Sequence, residues 1–212
     1  MKKSSILILI IICLVGCKKG SNETTITGEI KGLGTDTLYL YGMDELYDRI
    51  DTIYVENDKF SYTTSVDTIT SAYLLLKNRI EYPVFLDKGN KIKIKGDTIN
   101  LNFLTISGNI YNEEFTDFQK ALEDPADPSE KAGEETVDKR ITVEKANTAE
   151  EMAEEFILQH HSSYVSLYLL DKYFVQKETP DFSKIKKLVE VMTGVLLSLI
   201  HISEPTRLGM IS

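Results

Sequence analysis

The chain has 212 residues, with 24 basic against 33 acidic side chains, a formal charge of −9, two cysteines and no tryptophan. That balance argues against a nucleic-acid binder, whose partner's phosphates require a basic face. Both cysteines fall within the first seventeen residues, so everything after them lacks a disulfide, a C-x-x-C redox pair and any cysteine-based zinc spacing.

Lys2 and Lys3 precede an unbroken apolar run from Ile6 to Val15, which is followed by Gly16 and Cys17. The run is about half the roughly 20 residues that a spanning helix needs, and 1–16 therefore reads as a secretory signal peptide. Leu14-Val15-Gly16-Cys17 resembles the lipobox of bacterial lipoproteins. The resemblance implies that the Cys17 sulfur receives a diacylglycerol and that Cys17 becomes the first residue after cleavage. Two or more acyl chains, each methylene contributing ~0.8 kcal/mol, would hold the protein permanently to a membrane. The alternative for Cys17 is an ordinary apolar residue ending a signal helix, as Cys13 reads within the run. Residues 17–23 form a short polar tether. They lack the acidic pair that resembles the surface-export signal of Bacteroides-type lipoproteins, which favours the periplasmic face of the outer membrane. Loss of 1–16 removes Lys2 and Lys3 and takes the charge from −9 to −11.

From Thr24 to Tyr111 there are 12 acids against 9 bases, and from Asn112 to His160 there are 15 against 5. This shift, with the turn-forming run Asp124-Pro125-Ala126-Asp127-Pro128-Ser129, sets a boundary near residue 110. Within 24–110 apolar residues alternate: Ile26 with Ile30, Leu38 with Leu40, Val84 with Leu86, Ile92 with Ile94. Strands are predicted near 24–30, 37–41, 49–55, 59–63, 71–76, 81–86, 91–95 and 101–106, separated by turn signals such as Asn57-Asp58 and Lys88-Gly89-Asn90. About eight antiparallel strands at this spacing predict an all-β sandwich or partly open barrel. Tyr39, Tyr41, Tyr54, Tyr62, Tyr73 and Tyr82 lie in these strands and are the candidate binding face for a peptide or glycan. The alternative is that tyrosine is simply a good strand former.

Four groups of residues carry a resemblance over roughly 24–118: Ile26-Thr27-Gly28-Glu29-Ile30; Ile50-Asp51-Thr52 through Val55 to Asp58-Lys59-Phe60; Pro83-Val84-Phe85-Leu86-Asp87-Lys88-Gly89; and Ile106-Ser107-Gly108. In order and spacing they resemble the domain of unknown function 4369, an all-β module near the N-terminus of Bacteroides-type lipoproteins. That family supplies no catalytic residues to carry over. Asn57-Asp58 stands where the family often has a turn glycine, and asparagine tolerates the left-handed conformation.

The second half, 111–197, reads as a small helical subdomain with an acidic loop at 123–147. Asn112 is expected to cap a helix carrying Glu113 and Glu114 in its first turn and Phe115, Phe118 and Leu122 on one face. Thr148 and Glu151 form a capping-box pattern before Met152, Phe156 and Ile157. Another helix starts from Ser162 or Ser163, burying Val165, Tyr168, Leu169 and Phe174. The last opens at Pro180-Asp181 and ends at Gly194. The stretches His161 to Leu170 and Lys184 to Val189, placed behind such a β module, are similar to what precedes the thioredoxin-like domain of anchored thiol-disulfide oxidoreductases. The resemblance implies a redox domain beyond residue 195, with a Trp-Cys-x-x-Cys motif that this chain lacks. Residues 198–212, from Ser198-Leu199-Ile200-His201 onward, break the helical period, resemble adapter read-through and are set aside as non-native; the alternative is a natural disordered terminus.

Other site candidates are weak. His160-His161 point about 100° apart on a helix and lack a third ligand, and Asp124, Asp127 and Glu130 lack a calcium-loop pattern. No catalytic, cofactor or metal residues are assigned. The expectation is a lipid-anchored cell-envelope accessory module, noncatalytic as it stands, that positions or recognises a protein or peptide substrate for a thioredoxin-like domain. The alternative is a stand-alone periplasmic peptide- or glycan-binding lipoprotein, with an enzyme in its own right ranked third.

Overall fold

The structure, a computed structural model, describes residues 22–42, 45–76, 79–123 and 149–192. The signal stretch, Cys17, almost all of the acidic loop, Thr148, Gly194 and the 198–212 tail lie outside the described residues. Eight strands form two four-stranded sheets: β1 (Glu23–Lys31), β2 (Asp36–Tyr41), β3 (Ile50–Val55), β4 (Lys59–Ser65), β5 (Thr70–Leu75), β6 (Glu81–Leu86), β7 (Lys91–Asp97) and β8 (Thr105–Ser107). The orders are β4-β1-β7-β8 and β3-β2-β5-β6, and the sheets do not close into a barrel. Pairing is antiparallel except between β1 and β7, which run parallel in register from Thr25↔Lys91 to Lys31↔Asp97. A parallel pair needs a long crossover, and here the strands of the second sheet together with β4 provide it.

Period-two alternation builds the core. On β7, Ile92 and Ile94 are buried while Lys91, Lys93 and Lys95 are exposed. With Ile26, Ile30 and Ile106 these isoleucines join Leu38, Leu40, Ile53, Val55, Leu74 and Val84 in one cluster. Each such side chain, fully buried, contributes about 1.5–3 kcal/mol. Gly28 is required where it stands, because the Phe60 ring of the neighbouring strand lies over it and an added Cβ would sit 2.1 Å from Phe60 Cζ. Asn57 (φ 52°) and Asp58 (φ 68°) make the two-residue β3–β4 turn, whose helicity in the left-handed sense matches the strand twist. β8 is shorter than the predicted 101–106. Asp97 turns the chain by accepting from Asn100 N–H at its carbonyl and from Ile99 N–H at its carboxylate, leaving buried Leu101 and Leu104 in irregular chain.

Four helical segments follow: α1 (Ile110–Glu123), α2 (149–159), α3 (Tyr164–Leu170, prolonged by a π turn at Asp171–Val175) and α4 (Phe182–Val191). Ser163 and Asp181 are the N-caps of α3 and α4, accepting from Val165 N–H and from Ser183 and Lys184 N–H respectively. Asn112 is not the cap of α1. Asn109 is, accepting from Asn112 N–H at 2.9 Å, and the Asn112 side chain turns inward at 1% exposure to bond the backbone of Phe85 on β6. Thr116, one turn on, bonds both backbone groups of Ile106 on β8. α1 thus lies along the free edges of β6 and β8 and satisfies them with side chains, which protects edges that would otherwise pair with other chains. Phe118 meets Phe156 of α2 and Tyr173 of the π turn, and Lys184 bridges α4 to Glu154 (2.7 Å) and Glu150 (3.5 Å) of α2. No helix among the described residues is long and apolar enough to cross a membrane, which says nothing of strands that cross.

Candidate functional site

The outward face of the β3-β2-β5-β6 sheet gathers four of the six candidate tyrosines. On β2, Leu38 and Leu40 point into the core, so Tyr39 and Tyr41 point away from it; the same parity on β3 turns Ile50, Thr52 and Tyr54 outward. Register then makes neighbours of them. Tyr41 stands opposite Ile50 on one side and Tyr73 on the other, while Tyr39 lies between Thr52 and Leu75. Tyr54 and Ile50 are each 74% exposed and Tyr39 is 42% exposed, unusually open for such large side chains. Tyr41 and Tyr73 stack at 5.8 Å with planes 29° apart, and Tyr73 reaches Tyr168 of α3 at 6.4 Å. The result is an aromatic strip from the β3 edge to the helices.

The hydroxyls along the strip differ. Burial, followed by a hydrogen bond to Glu81, pushes the Tyr41 phenol well above the usual tyrosine range. Tyr54 is mostly, and Tyr39 partly, open to solvent. Such rings bring a large rigid apolar area together with one donor and one acceptor, which suits an extended peptide or a sugar ring.

Tyr82 and Tyr62 are elsewhere. Tyr82 faces the core at 2% exposure, donates to the Leu104 carbonyl at 2.9 Å and is pushed up to about 12 by burial. Tyr62 shares the inward parity of Phe60 on β4, and its phenol is raised by burial and by a hydrogen bond to Asp51. It belongs to a polar plug on the β3–β4 side of the sandwich. There Tyr47 donates to Asp51, Arg49 pairs with Asp51 at 3.2 Å, and the Arg49 guanidinium donates to Thr64 and to the Ser65 carbonyl. Sequence reasoning missed Ile50, although its i, i+2, i+4 spacing with Thr52 and Tyr54 was there to read. It also missed Tyr168 as the far end of the strip, which only the fold could place.

Among the described residues no three His, Cys, Asp or Glu side chains form a group that could hold a metal. His160 Nδ1 lies 3.2 Å from the Phe156 carbonyl and its ring stacks on Phe156 at 4.1 Å, a packing role at the end of α2. An open concavity of about 470 Å³ lies on the opposite sheet and is lined by Glu29, Lys31, Lys95, Asp97, Asn100 and Phe103.

A family described as Domain of unknown function (DUF4369) matches residues 24–115. That span covers all eight strands and the first turns of α1, including Asn112, so the part of the helix that tends the β6 edge falls within the matched module. No curated protein and no solved structure matches the chain.

Proposed function

We propose that this protein is a lipid-anchored cell-envelope module, held through Cys17 at the periplasmic face of the outer membrane, whose sandwich recognises an extended peptide segment. In this reading it is not itself an enzyme, and it presents bound polypeptide to a thioredoxin-like redox domain that follows the helices. The observation that carries recognition is the open strip of Tyr39, Tyr54 and Ile50 beside the fixed Tyr41–Tyr73 stack. Anchoring is supported by Leu14-Val15-Gly16-Cys17, and the redox partner by the likeness of His161–Leu170 and Lys184–Val189 to the segments that precede such domains. Dithiol exchange needs an attacking and a resolving thiol, so it would come from that following domain.

The second reading, a glycan-binding lipoprotein, draws on the same strip because sugar rings also stack on tyrosine. Genomic sequence past the codon for Leu197 separates the presenting module from a stand-alone peptide- or glycan-binding lipoprotein: a Trp-Cys-x-x-Cys frame supports the first, and a stop codon supports the second. Anchoring has its own test. Cys17→Ser should abolish palmitate labelling and release the protein from membranes, and unchanged labelling would rule the anchor out.

A further inference from the structure

The outward face of the β4-β1-β7-β8 sheet is unlike the tyrosine face. Strand period lines up Lys91, Lys93 and Lys95 along β7, with Lys31 beside them on β1 and Lys59 on β4, all exposed. These are five of the nine basic residues between Thr24 and Tyr111, gathered on one face of a chain whose formal charge is −9. Around them the face carries short hydroxyls, Thr25, Thr27, Ser61, Thr63, Thr105 and Ser107, so the lysine stems rise above their surroundings. The acids outward on these strands are Glu23, Glu29 and Asp97, and the Asp97 carboxylate already accepts from Ile99 N–H. No ion pair among the described residues involves any of the five lysines.

We infer that this face docks on an anionic phospholipid bilayer, with Lys91, Lys93 and Lys95 as the central contacts. Charge complementarity selects the face: the rest of an acidic protein is repelled by the surface that attracts the lysine row. On the strands of this face the outward side chains are charged or hydroxylic, with Phe103 and Ile99 only at its margin beyond β7, so the contact is mainly electrostatic. The position of the chain's N-terminal end agrees, and this clause rests on the reading of Cys17 as the anchor. Five residues separate Cys17 from Glu23, six steps of chain with a reach of at most about 20 Å. β7 runs parallel to β1 with Lys91 opposite Thr25, so the row starts at the tethered end. Docking this sheet leaves the tyrosine strip, on the opposite sheet, facing away from the lipid.

The test uses the full chain carrying Cys17→Ser, so that no acyl chain contributes, and compares co-sedimentation with phosphatidylcholine vesicles and with vesicles one-third phosphatidylglycerol. The apolar stretch 6–15 partitions into both, and Lys2, Lys3, Lys18 and Lys19 beside it add the same anionic preference to every variant, so the difference between the parent and its β7 variants reads the lysine row. The expected preference for the anionic vesicles is at least tenfold at low salt and vanishes at high salt. Lys91→Glu/Lys93→Glu/Lys95→Glu lowers it at least tenfold, each single Lys→Gln change costs roughly fivefold, and Lys186→Glu/Lys187→Glu on α4 leaves it within about twofold. The single changes decide the matter if the triple variant fails to fold. No preference in the parent, or a folded triple variant that keeps it, would overturn the inference. Equal binding to polyglutamate would assign the face to acidic peptides and overturn it too. Palmitate labelling at Cys17 reads the anchor separately, so failure of one is not failure of the other.

Discussion

The side-chain amide of Asn112 takes the place of a missing strand beside Phe85: its oxygen accepts from Phe85 N–H at 3.0 Å and its nitrogen donates to the Phe85 carbonyl at 2.8 Å. Asn109 also donates to that carbonyl, so the N–H depends on Asn112 alone. Thr116 repeats the device on Ile106, accepting at 3.0 Å and donating at 2.9 Å. The helical part therefore begins as a component of the sandwich.

Asn112→Ala should orphan the buried Phe85 N–H and cost about 2–3 kcal/mol, and Thr116→Val, which orphans both groups of Ile106, should cost at least as much. Thr116→Ser keeps the hydroxyl and should retain most of the stability. Urea midpoints at constant slope measure this. A loss under about 0.5 kcal/mol for Asn112→Ala, the range of an inconsequential surface change, would show that water replaces the amide.

Gly28→Ala drives a methyl into the Phe60 ring and should cost about 1–3 kcal/mol. Phe60→Leu alone should also destabilise, by removing buried aromatic area, yet the two changes together should cost less than their sum, because the smaller side chain vacates the space the methyl needs. Strict additivity in the double-mutant cycle would mean the ring swings aside freely.

Tyr39→Ser/Tyr54→Ser should cost within about 0.5 kcal/mol at Tyr54, which is 74% exposed, and up to about 1 kcal/mol at the half-covered Tyr39. The same variant should lose binding to unfolded-polypeptide probes, followed by NMR shifts on β2, β3 and β5. Tyr82→Phe should do the reverse, costing about 1 kcal/mol through the lost Leu104 bond and leaving binding alone. Peptide binding untouched by the double change would remove the strip from the proposed function, and binding of oligosaccharide in its place would favour the glycan reading.

Parity made most strands legible: Lys91-Ile92-Lys93-Ile94-Lys95 can be little else. It could not say which strands share a sheet, nor that β7 would lie parallel to β1, because pairing between distant strands leaves no local mark. On β6 it placed the strand at 81–86 but not its faces, because Tyr82 to Leu86 are all buried. Phe85 on the outward parity is covered by Tyr111, Phe115 and Tyr168, so no alternation survives to show that Tyr82 faces the core. Asn112 read as a cap because it stands before Glu113-Glu114, the usual company of a helix start; only the edge of β6 beside it reveals the other role. The starts at Ser162 or Ser163 and at Pro180-Asp181 were legible because the partners a cap needs are its own neighbours in sequence, and the structure selects Ser163 and Asp181.

The polar plug sets an alkaline limit on stability. Burial first, and then the bond to Asp51, pushes the Tyr47 phenol up to about 12, while in the unfolded chain it returns to about 10. A folded-state value above the unfolded one means the unfolded chain sheds its proton first. The contribution is therefore complete below about pH 10 and is lost as pH rises from there through 12, at up to about 1.36 kcal/mol per pH unit. Tyr47→Phe removes that proton: it should cost about 1 kcal/mol at neutral pH by taking one hydrogen bond from the Asp51 oxygen that Arg49 still pairs with, then flatten the decline between pH 10 and 12 by one proton's worth, leaving the slope from Tyr82 and the other buried phenols. Urea unfolding at stepped pH, with tyrosinate absorbance followed in parallel, measures both effects. Wild type and Tyr47→Phe declining in parallel would mean that the Tyr47 phenol ionises without cost and that the Arg49–Asp51–Thr64 contacts hold the β3–β4 corner without it.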